Sequence, residues 1–166
     1  KKLMIGIFEP NAKNAFKKDG KVPDNFSFGE FQVNKNYVKM LHKLASKRIP
    51  KINKLKIEKY FSGPESFTPD TNYLLGETAE INNFFVCCGF NSIGIGSAGG
   101  AGKATAEWMI NGHTTQDLYS LDVKRFEKFN SSLKFIKERV TESLGNLFKM
   151  HWPYKQLTTS RNIKLL

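Results

Sequence analysis

Apolar and polar positions along the chain predict a mixture of strands and helices. Alternating or continuous apolar runs predict four strands, at residues 3–9, 56–62, 73–76 and 83–88. Apolar residues that recur at helical spacing predict three helices, at residues 34–49, 99–110 and 133–144.

Local signals set the ends of the three predicted helices. The predicted N-caps are Asn34 or Asn36 for the first helix and Ser131 or Ser132 for the third. The predicted stops are Pro50, Asn111 with Gly112, and Gly145.

The run at residues 83–88 is apolar on both faces, as a central strand covered from both sides would be. It ends in Cys87 and Cys88, whose side chains should point to opposite faces of a strand, so that they cannot bind one metal ion together. Two cysteines are also too few for a disulfide framework. We therefore expect buried structural thiols in a reducing compartment.

A glycine-rich segment at residues 88–102 follows this strand and leads into a predicted helix. Six of its fifteen residues are glycine, so backbone N–H groups could approach a bound group without a Cβ in the way. The helix would direct its free amides and the positive end of its dipole to the same place. The segment predicts either a cofactor site or close packing of helix on strand.

Two phosphate-binding fingerprints fit this segment poorly. Residues 94–99 match G-x-G-x-x-G literally, but the chain continues as helix and lacks a second strand ended by an acidic residue. In the pattern GxxxxGK[ST], Ser97 stands where the first glycine belongs, and Ala104 where a hydroxyl should bind magnesium. The glycines alone therefore do not identify the ligand.

The formal net charge of +11 raises the question of nucleic-acid binding. Arginine, whose fork suits phosphates and guanine edges, occurs only at Arg48, Arg125, Arg139 and Arg161. The lysines are spread along the chain, and we interpret them as a solvated basic surface. We therefore expect no nucleic acid as partner. The sequence contains no run near the roughly 18 apolar residues of a membrane span and no secretory signal, so we expect no membrane span.

Residues with catalytic or metal-binding chemistry form no recognisable constellation. His42, His113 and His151 lack acidic or cysteine ligands at metal spacing, so we predict no metal site. Glu65 and Asp70 share a loop, where carboxylates are usually solvated or cap a turn, with acid–base catalysis as the alternative. No catalytic residue can be assigned.

An ordered series of motifs resembles the sarcosine and dimethylglycine dehydrogenase family, which belongs to the D-amino-acid-oxidase-like flavoproteins. The motifs are GPESFTPD at residues 63–70, LGE at 75–77, FVCCGFNS at 85–92, AGGAG at 98–102 and AEW at 106–108. Further likeness lies in LMIGIFEP at residues 3–10, DVKRF at 122–126 and IKERV at 136–140. The resemblance covers nearly the whole chain.

The resemblance implies the fragment's place in a larger protein. Because the chain starts at Lys1 and its end looks cut short, we expect a piece of a longer protein. The fold would be α/β, a fragment of an FAD-binding Rossmann-like domain with part of an antiparallel substrate-binding sheet and a helical C-terminal connector. Residues 1–62 would end the substrate-binding subdomain, residues 63–112 would be the C-terminal part of the FAD-binding domain, and residues 113–166 would lead toward an absent folate-binding region.

The resemblance also implies a function, with FAD as cofactor. The parent protein would oxidatively demethylate sarcosine or dimethylglycine, small N-methyl amino acids, and pass electrons to an electron-transfer flavoprotein, in the bacterial cytoplasm or the mitochondrial matrix. Tetrahydrofolate would bind in the absent C-terminal region. The implied flavin-binding residues are Gly89, Phe90, Asn91, Ser92, Ile93, Gly94, Ile95, Gly99 and Gly100, and Glu65 is the candidate substrate residue.

Two features leave alternatives open. Related amine oxidases place a lysine or arginine near the flavin ring, whereas this chain has Ile95 and Gly96 there, so the anchor of the substrate carboxylate must lie elsewhere. The family also includes a regulatory subunit of pyruvate dehydrogenase phosphatase, so a non-catalytic regulatory homologue is the alternative function.

Overall fold

The computed structural model describes residues 2–16, 21–147, 149 and 157–159. The chain divides into two compact units, Lys1–Pro64 and Glu65–Leu166. The functional division of the chain at residues 62 and 112 stays a prediction. Within the described residues, no helix combines the length and the apolar character needed to cross a membrane.

The first unit contains helix α1, Lys35–Arg48, which confirms the helix predicted at residues 34–49. Asn34 is its N-cap, because the side-chain Oδ1 accepts a hydrogen bond of 3.0 Å from the amide of Asn36. At Pro50 the α-helix has ended and a short 3-10 helix, Pro50–Lys54, begins. The capping signals therefore placed both ends of α1.

The two strands predicted in the first unit are wrong. Residues 3–9 and 56–62 are irregular, since a strand forms only where a neighbouring backbone supplies a hydrogen-bonding partner. One backbone bond, from the amide of Phe31 to the carbonyl of Ser62 at 2.7 Å, ties the second segment down. The rings of Phe16 and Phe26 meet edge to face at a centroid distance of 5.0 Å, an aromatic contact that also belongs to this unit.

The second unit contains a β-hairpin. Strands β1, Leu74–Glu77, and β2, Phe85–Cys88, pair antiparallel, with Leu74 opposite Cys88 and Glu77 opposite Phe85. Leu75 is 1% exposed, and its amide donates to the carbonyl of Leu121 at 2.8 Å. Both strands lie where the sequence predicted them, and Leu75 anchors the core of this unit.

The predicted environment of β2 is wrong. We expected a strand covered on both faces with buried cysteines, but in the described structure β2 pairs only with β1, and Cys87 and Cys88 are exposed. An apolar run makes a strand suited to burial, but other segments must pack against the strand to bury it. Partial burial, together with the adjacent Cys87, raises the pKa of the Cys88 thiol.

Helix α2, Gly94–Asn111, contacts both strands of the hairpin, and its buried residues are Ala101 and Thr105. A Cβ on Gly76, whose φ is +100°, would lie 2.7 Å from the Trp108 ring, so only glycine fits this contact. The helix ends as predicted, at Gly112 in the left-handed conformation with φ +75°.

The start of α2 and the end of α3 differ from prediction. α2 begins at Gly94 and not near residue 99, so most of the glycine-rich segment is helical. α3, Leu133–Asn146, begins after Ser132 but continues past Gly145. Glycine is a weak helix former that packing readily overrides, which explains both differences.

Candidate functional site

The candidate site begins with the turn at residues 89–93, between β2 and α2. Gly89, Asn91 and Ser92 all have positive φ, at 67°, 49° and 67°. Such backbone is strained for residues other than glycine and persists only where the surroundings hold it. A hydrogen bond of 2.9 Å from the amide of Ile93 to the carbonyl of Phe90 closes the turn.

The side chain of Asn91 holds this turn in place. It is 2% exposed, and its Oδ1 accepts from the amide of Thr68 at 2.8 Å. Its Nδ2 donates to the carbonyl of Gly89 at 2.6 Å. Because both ends of the amide are used, Asn91 fixes the turn to the loop at residues 65–72.

The ring of Phe90 secures the turn from another side. It stacks on the ring of Tyr73 at a centroid distance of 4.9 Å and an angle of 24°. A Cβ on Gly94 would lie 3.3 Å from the Cβ of Phe90, tighter than most such contacts. The first residue of α2 can therefore approach Phe90 closely because it is glycine.

The N-terminus of α2 opens beside the turn. The first helical hydrogen bond runs from the amide of Ser97 to the carbonyl of Ile93, at 3.1 Å. The amides of Gly94, Ile95 and Gly96 precede it, where a helix leaves its N–H groups without intrahelical partners and carries a partial positive charge. Ile93 is 50% and Ile95 102% exposed. This surface can donate hydrogen bonds to an electron-rich group and contact an apolar one.

Glu65 lies beside the turn. Its Oε2 accepts a hydrogen bond of 2.9 Å from the hydroxyl of Ser92, and its Oε1 accepts from the amide of Ser66 at 3.1 Å. The structure thus brings the candidate substrate residue to the candidate flavin turn, as an exposed carboxylate able to bind a cation. Among the described residues, no three His, Cys, Asp or Glu side chains are grouped to hold a metal ion.

Gly99 and Gly100 lie apart from the turn, inside α2. Their amides belong to the hydrogen-bonded body of the helix, which removes them as donors to a ligand. A Cβ on either glycine would meet nothing within 4 Å. Gly100 lines a cleft of about 80 Å³ with Lys103, Glu107 and Thr115, far below the volume of a typical ligand pocket.

An ion pair between Arg125 and Asp70, which the sequence did not predict, fixes the other end of the loop at residues 65–72. Arg125 donates from Nε to Oδ2 of Asp70 at 2.7 Å and from Nη2 to Oδ1 at 3.1 Å. Burial raises the pKa of Asp70, but the hydrogen bonds and charge of Arg125, with the amide of Asn72, outweigh it and lower that pKa below its usual value. Since 55 residues separate the partners, no local spacing could signal the pair.

Comparison with protein families gives two matches. Residues 2–108 match the family model described as FAD dependent oxidoreductase. Residues 111–165 match the model described as FAD dependent oxidoreductase central domain. Together the matches cover nearly the whole chain, and their border falls at the end of α2.

Three curated relatives are similar to the chain. The 4-methylaminobutanoate oxidase (formaldehyde-forming) of Paenarthrobacter nicotinovorans is 37% identical over 98% of the chain. The mitochondrial sarcosine dehydrogenase of Mus musculus is 35% identical over 86% of the chain. The mitochondrial pyruvate dehydrogenase phosphatase regulatory subunit of Mus musculus is 32% identical over 98% of the chain. The chain spans 19%, 16% and 18% of the lengths of these proteins.

Proposed function

The chain belongs to the FAD-dependent oxidoreductase family, and we propose that its parent protein oxidatively demethylates an N-methyl amino acid at a site that includes the turn at residues 89–93. In this proposal the chain contributes part of a Rossmann-like FAD-binding domain. The observation that carries the proposal is the open N-terminus of α2 beside the carboxylate of Glu65. Two of the relatives are named for N-methyl amine substrates, which supports the substrate class.

The residues at the turn fit part of a flavin. Amides of Gly94, Ile95 and Gly96 would donate to an electron-rich ring edge, while the exposed side chains of Ile93 and Ile95 would contact the ring's apolar surface. FAD, when bound, supplies the acceptor for two electrons and a proton taken from the N-methyl carbon. Fixed donors stabilise charge as it develops, an effect worth about 3 to 4 kcal/mol for one donor in other enzymes.

Glu65 would recognise the amine. Its carboxylate is exposed and oriented by the hydroxyl of Ser92, so it can accept a hydrogen bond from a substrate ammonium group and hold it beside the turn. It would also take up the ammonium proton, which must leave before the N-methyl carbon can lose hydride. Arg125 is engaged by Asp70, so the cation that binds the substrate carboxylate would come from another loop or from the rest of the parent protein. The candidate substrates are sarcosine, dimethylglycine and 4-methylaminobutanoate.

Anaerobic mixing of the full-length protein with each of these three amines tests the proposal. We expect at least one amine to remove the visible absorbance of the oxidised flavin. The similarity to a regulatory subunit favours a second candidate, a flavin-binding homologue without turnover. Bound flavin that no N-methyl amine reduces would support that candidate and contradict the first.

Glycine substitutions in the same full-length protein test the site. Gly99→Val and Gly100→Val should weaken flavin binding if the ring or an attached group lies against this face of α2. Gly6→Val is the control outside α2, since a Cβ at Gly6, Gly99 or Gly100 meets nothing within 4 Å in this chain. Flavin absorbance and turnover that remain unchanged in both test variants would remove Gly99 and Gly100 from the site.

Three finer expectations of the sequence resemblance remain parts of this proposal. They are an electron-transfer flavoprotein as the electron acceptor, tetrahydrofolate as a second cofactor, and a location in the bacterial cytoplasm or the mitochondrial matrix. Reoxidation of the substrate-reduced protein by purified electron-transfer flavoprotein tests the first. Capture of the released carbon by added tetrahydrofolate tests the second, and fractionation of the source cells tests the third.

A further inference from the structure

The loop at residues 68–72 is held by side chains from a distant part of the chain. Arg125 binds the carboxylate of Asp70 through two nitrogens, and its Nη2 also donates to the carbonyl of Asn72 at 2.9 Å. The hydroxyl of Ser143, in α3, donates to the carbonyl of Pro69 at 2.8 Å. The loop belongs to the segment matched by the first family model, and Arg125 and Ser143 belong to the segment matched by the second.

Arg125 is the most constrained member of this arrangement. Its side chain is only 9% exposed, and its Nη1 donates to the carbonyl of Asp122 at 3.0 Å. The guanidinium carbon lies 4.4 Å from the centre of the Phe126 ring. Nε, Nη1 and Nη2 all have acceptors, which a planar fork achieves and a lysine ammonium cannot.

Hydrogen bonds lead from this pair to the candidate site. The hydroxyl of Thr68 donates to the carbonyl of Asn72 at 2.7 Å, which Arg125 also binds, and lies 3.2 Å from Oδ1 of Asp70. The amide of Thr68 donates to Oδ1 of Asn91 at 2.8 Å. Asn91 in turn holds the strained turn at residues 89–93. At the start of the same loop, Glu65 accepts from Ser92. The loop therefore contacts the turn twice, through Glu65 and through Thr68. Arg125 binds the following stretch of the loop, which leads into β1.

We propose that Arg125 is a positioning residue for the candidate flavin site: by fixing Asp70 and the loop at residues 68–72, it sets the conformation of the turn at residues 89–93 and the place of Glu65. The link to the flavin rests on the proposed function. The claim about the turn does not, because it concerns contacts within this chain. Arg125 touches neither the turn nor Glu65 directly and acts through Asp70, Thr68 and Asn91.

Hydrogen–deuterium exchange on the full-length protein tests the positioning. The variants are Arg125→Lys, which keeps the charge but loses the fork, and Asp70→Asn, which keeps the side-chain size but loses the charge. Lys124→Ala is the matched control, because this neighbouring side chain is 45% exposed and lies 3.7 Å from Glu77. We expect exchange at residues 89–97 to speed up by about tenfold or more in both variants and not in the control.

The pattern of exchange separates positioning from general stability. Acceleration confined to the turn, the start of α2 and the loop supports the proposal. Acceleration that is equal throughout α2 and α3, or no change in either variant, overturns it. The double variant should exchange no faster than the faster single variant, because both remove the same contact; additive effects would contradict the inference. If Arg125→Lys does not fold, Asp70→Asn provides the same comparison.

Flavin reduction by substrate then tests the link to function. The limiting rate of reduction should fall about tenfold in Arg125→Lys, and the apparent substrate affinity should fall as Glu65 loses its fixed place. Unchanged values in a folded variant would remove Arg125 from the site. If no amine reduces even the unchanged protein, the proposed function fails, while the exchange experiment still decides whether Arg125 positions the turn.

Discussion

The two units of this chain bury their side chains very differently. Among the described residues, Ile52 is the one buried apolar side chain of the first unit, whereas the second unit buries Leu75, Ala101, Phe135 and Leu144. Buried polar groups show the same contrast, since Thr68, Asn91, Thr105, Ser143 and Thr159 all belong to the second unit. Burial of satisfied polar groups fixes one arrangement of the backbone, and the second unit is where the candidate site lies.

The difference shows that an apolar strand pattern gives a strand only where another strand pairs with it. β1 and β2 pair with each other within one short stretch of chain, so both form. The apolar segment at residues 3–9 has the same kind of pattern, but Leu3, Met4, Ile5 and Ile7 remain 39% to 79% exposed. The experiments below compare matched positions in the two units, from the largest expected effect to the smallest.

Removing one leucine from each unit should give the largest contrast. Leu75→Ala deletes a side chain that is 1% exposed and should lower the free energy of unfolding by about 2 to 5 kcal/mol. Leu44→Ala, where the leucine is 49% exposed, should change it by less than about 0.5 kcal/mol. Urea denaturation followed by circular dichroism measures both. Equal losses would mean that the two units do not differ in burial.

Adding one methyl group to a glycine of each unit should give the next largest difference in the free energy of unfolding. Gly76→Ala combines a φ of +100° with a contact of 2.7 Å to the Trp108 ring and should cost about 1 to 3 kcal/mol. Gly6→Ala, where nothing lies within 4 Å, should be neutral or slightly stabilising. The same denaturation experiment decides. A neutral Gly76→Ala would contradict the packing of α2 on the hairpin.

Removing a helix N-cap should destabilise the first unit more than the second, the reverse of the order expected for the leucines. Asn34→Ala removes a side-chain hydrogen bond to the amide of Asn36 and should cost about 1 kcal/mol, although it lies in the less buried unit. Ser132→Ala should cost less, because Ser132 makes no side-chain capping bond in the described structure. Thermal denaturation measures both. A larger loss at Ser132 would contradict the assigned caps.

The last comparison concerns the rate at which the two thiols of β2 are labelled while the chain stays folded. Cys87 and Cys88 are exposed, so a thiol reagent should label both in the folded chain without denaturant. Because the pKa of Cys88 is raised, its thiolate is scarcer at neutral pH than that of an ordinary cysteine, and its labelling rate should keep rising as the pH passes above that ordinary pKa. Mass spectrometry of each labelled site measures the rates. Labelling that requires denaturant would support the original expectation of buried thiols.

Local chemistry in the sequence determined much of this fold. Asn34 and Pro50 set the ends of α1, Gly112 ended α2, and the apolar runs placed β1 and β2, because caps, stops and strand propensity act over a few residues. Motif order along the chain also indicated the family, which the comparison confirmed. Both kinds of information are written in consecutive residues.

Only the tertiary structure decided which residues meet. It placed Glu65 against Ser92 and Arg125 against Asp70, and it began α2 at Gly94, so that most of the glycine-rich segment is helical. It also left Cys87 and Cys88 of β2 exposed, although the apolar pattern of this strand favours burial. Such contacts join residues far apart in sequence, and their free energy depends on packing that no single segment contains.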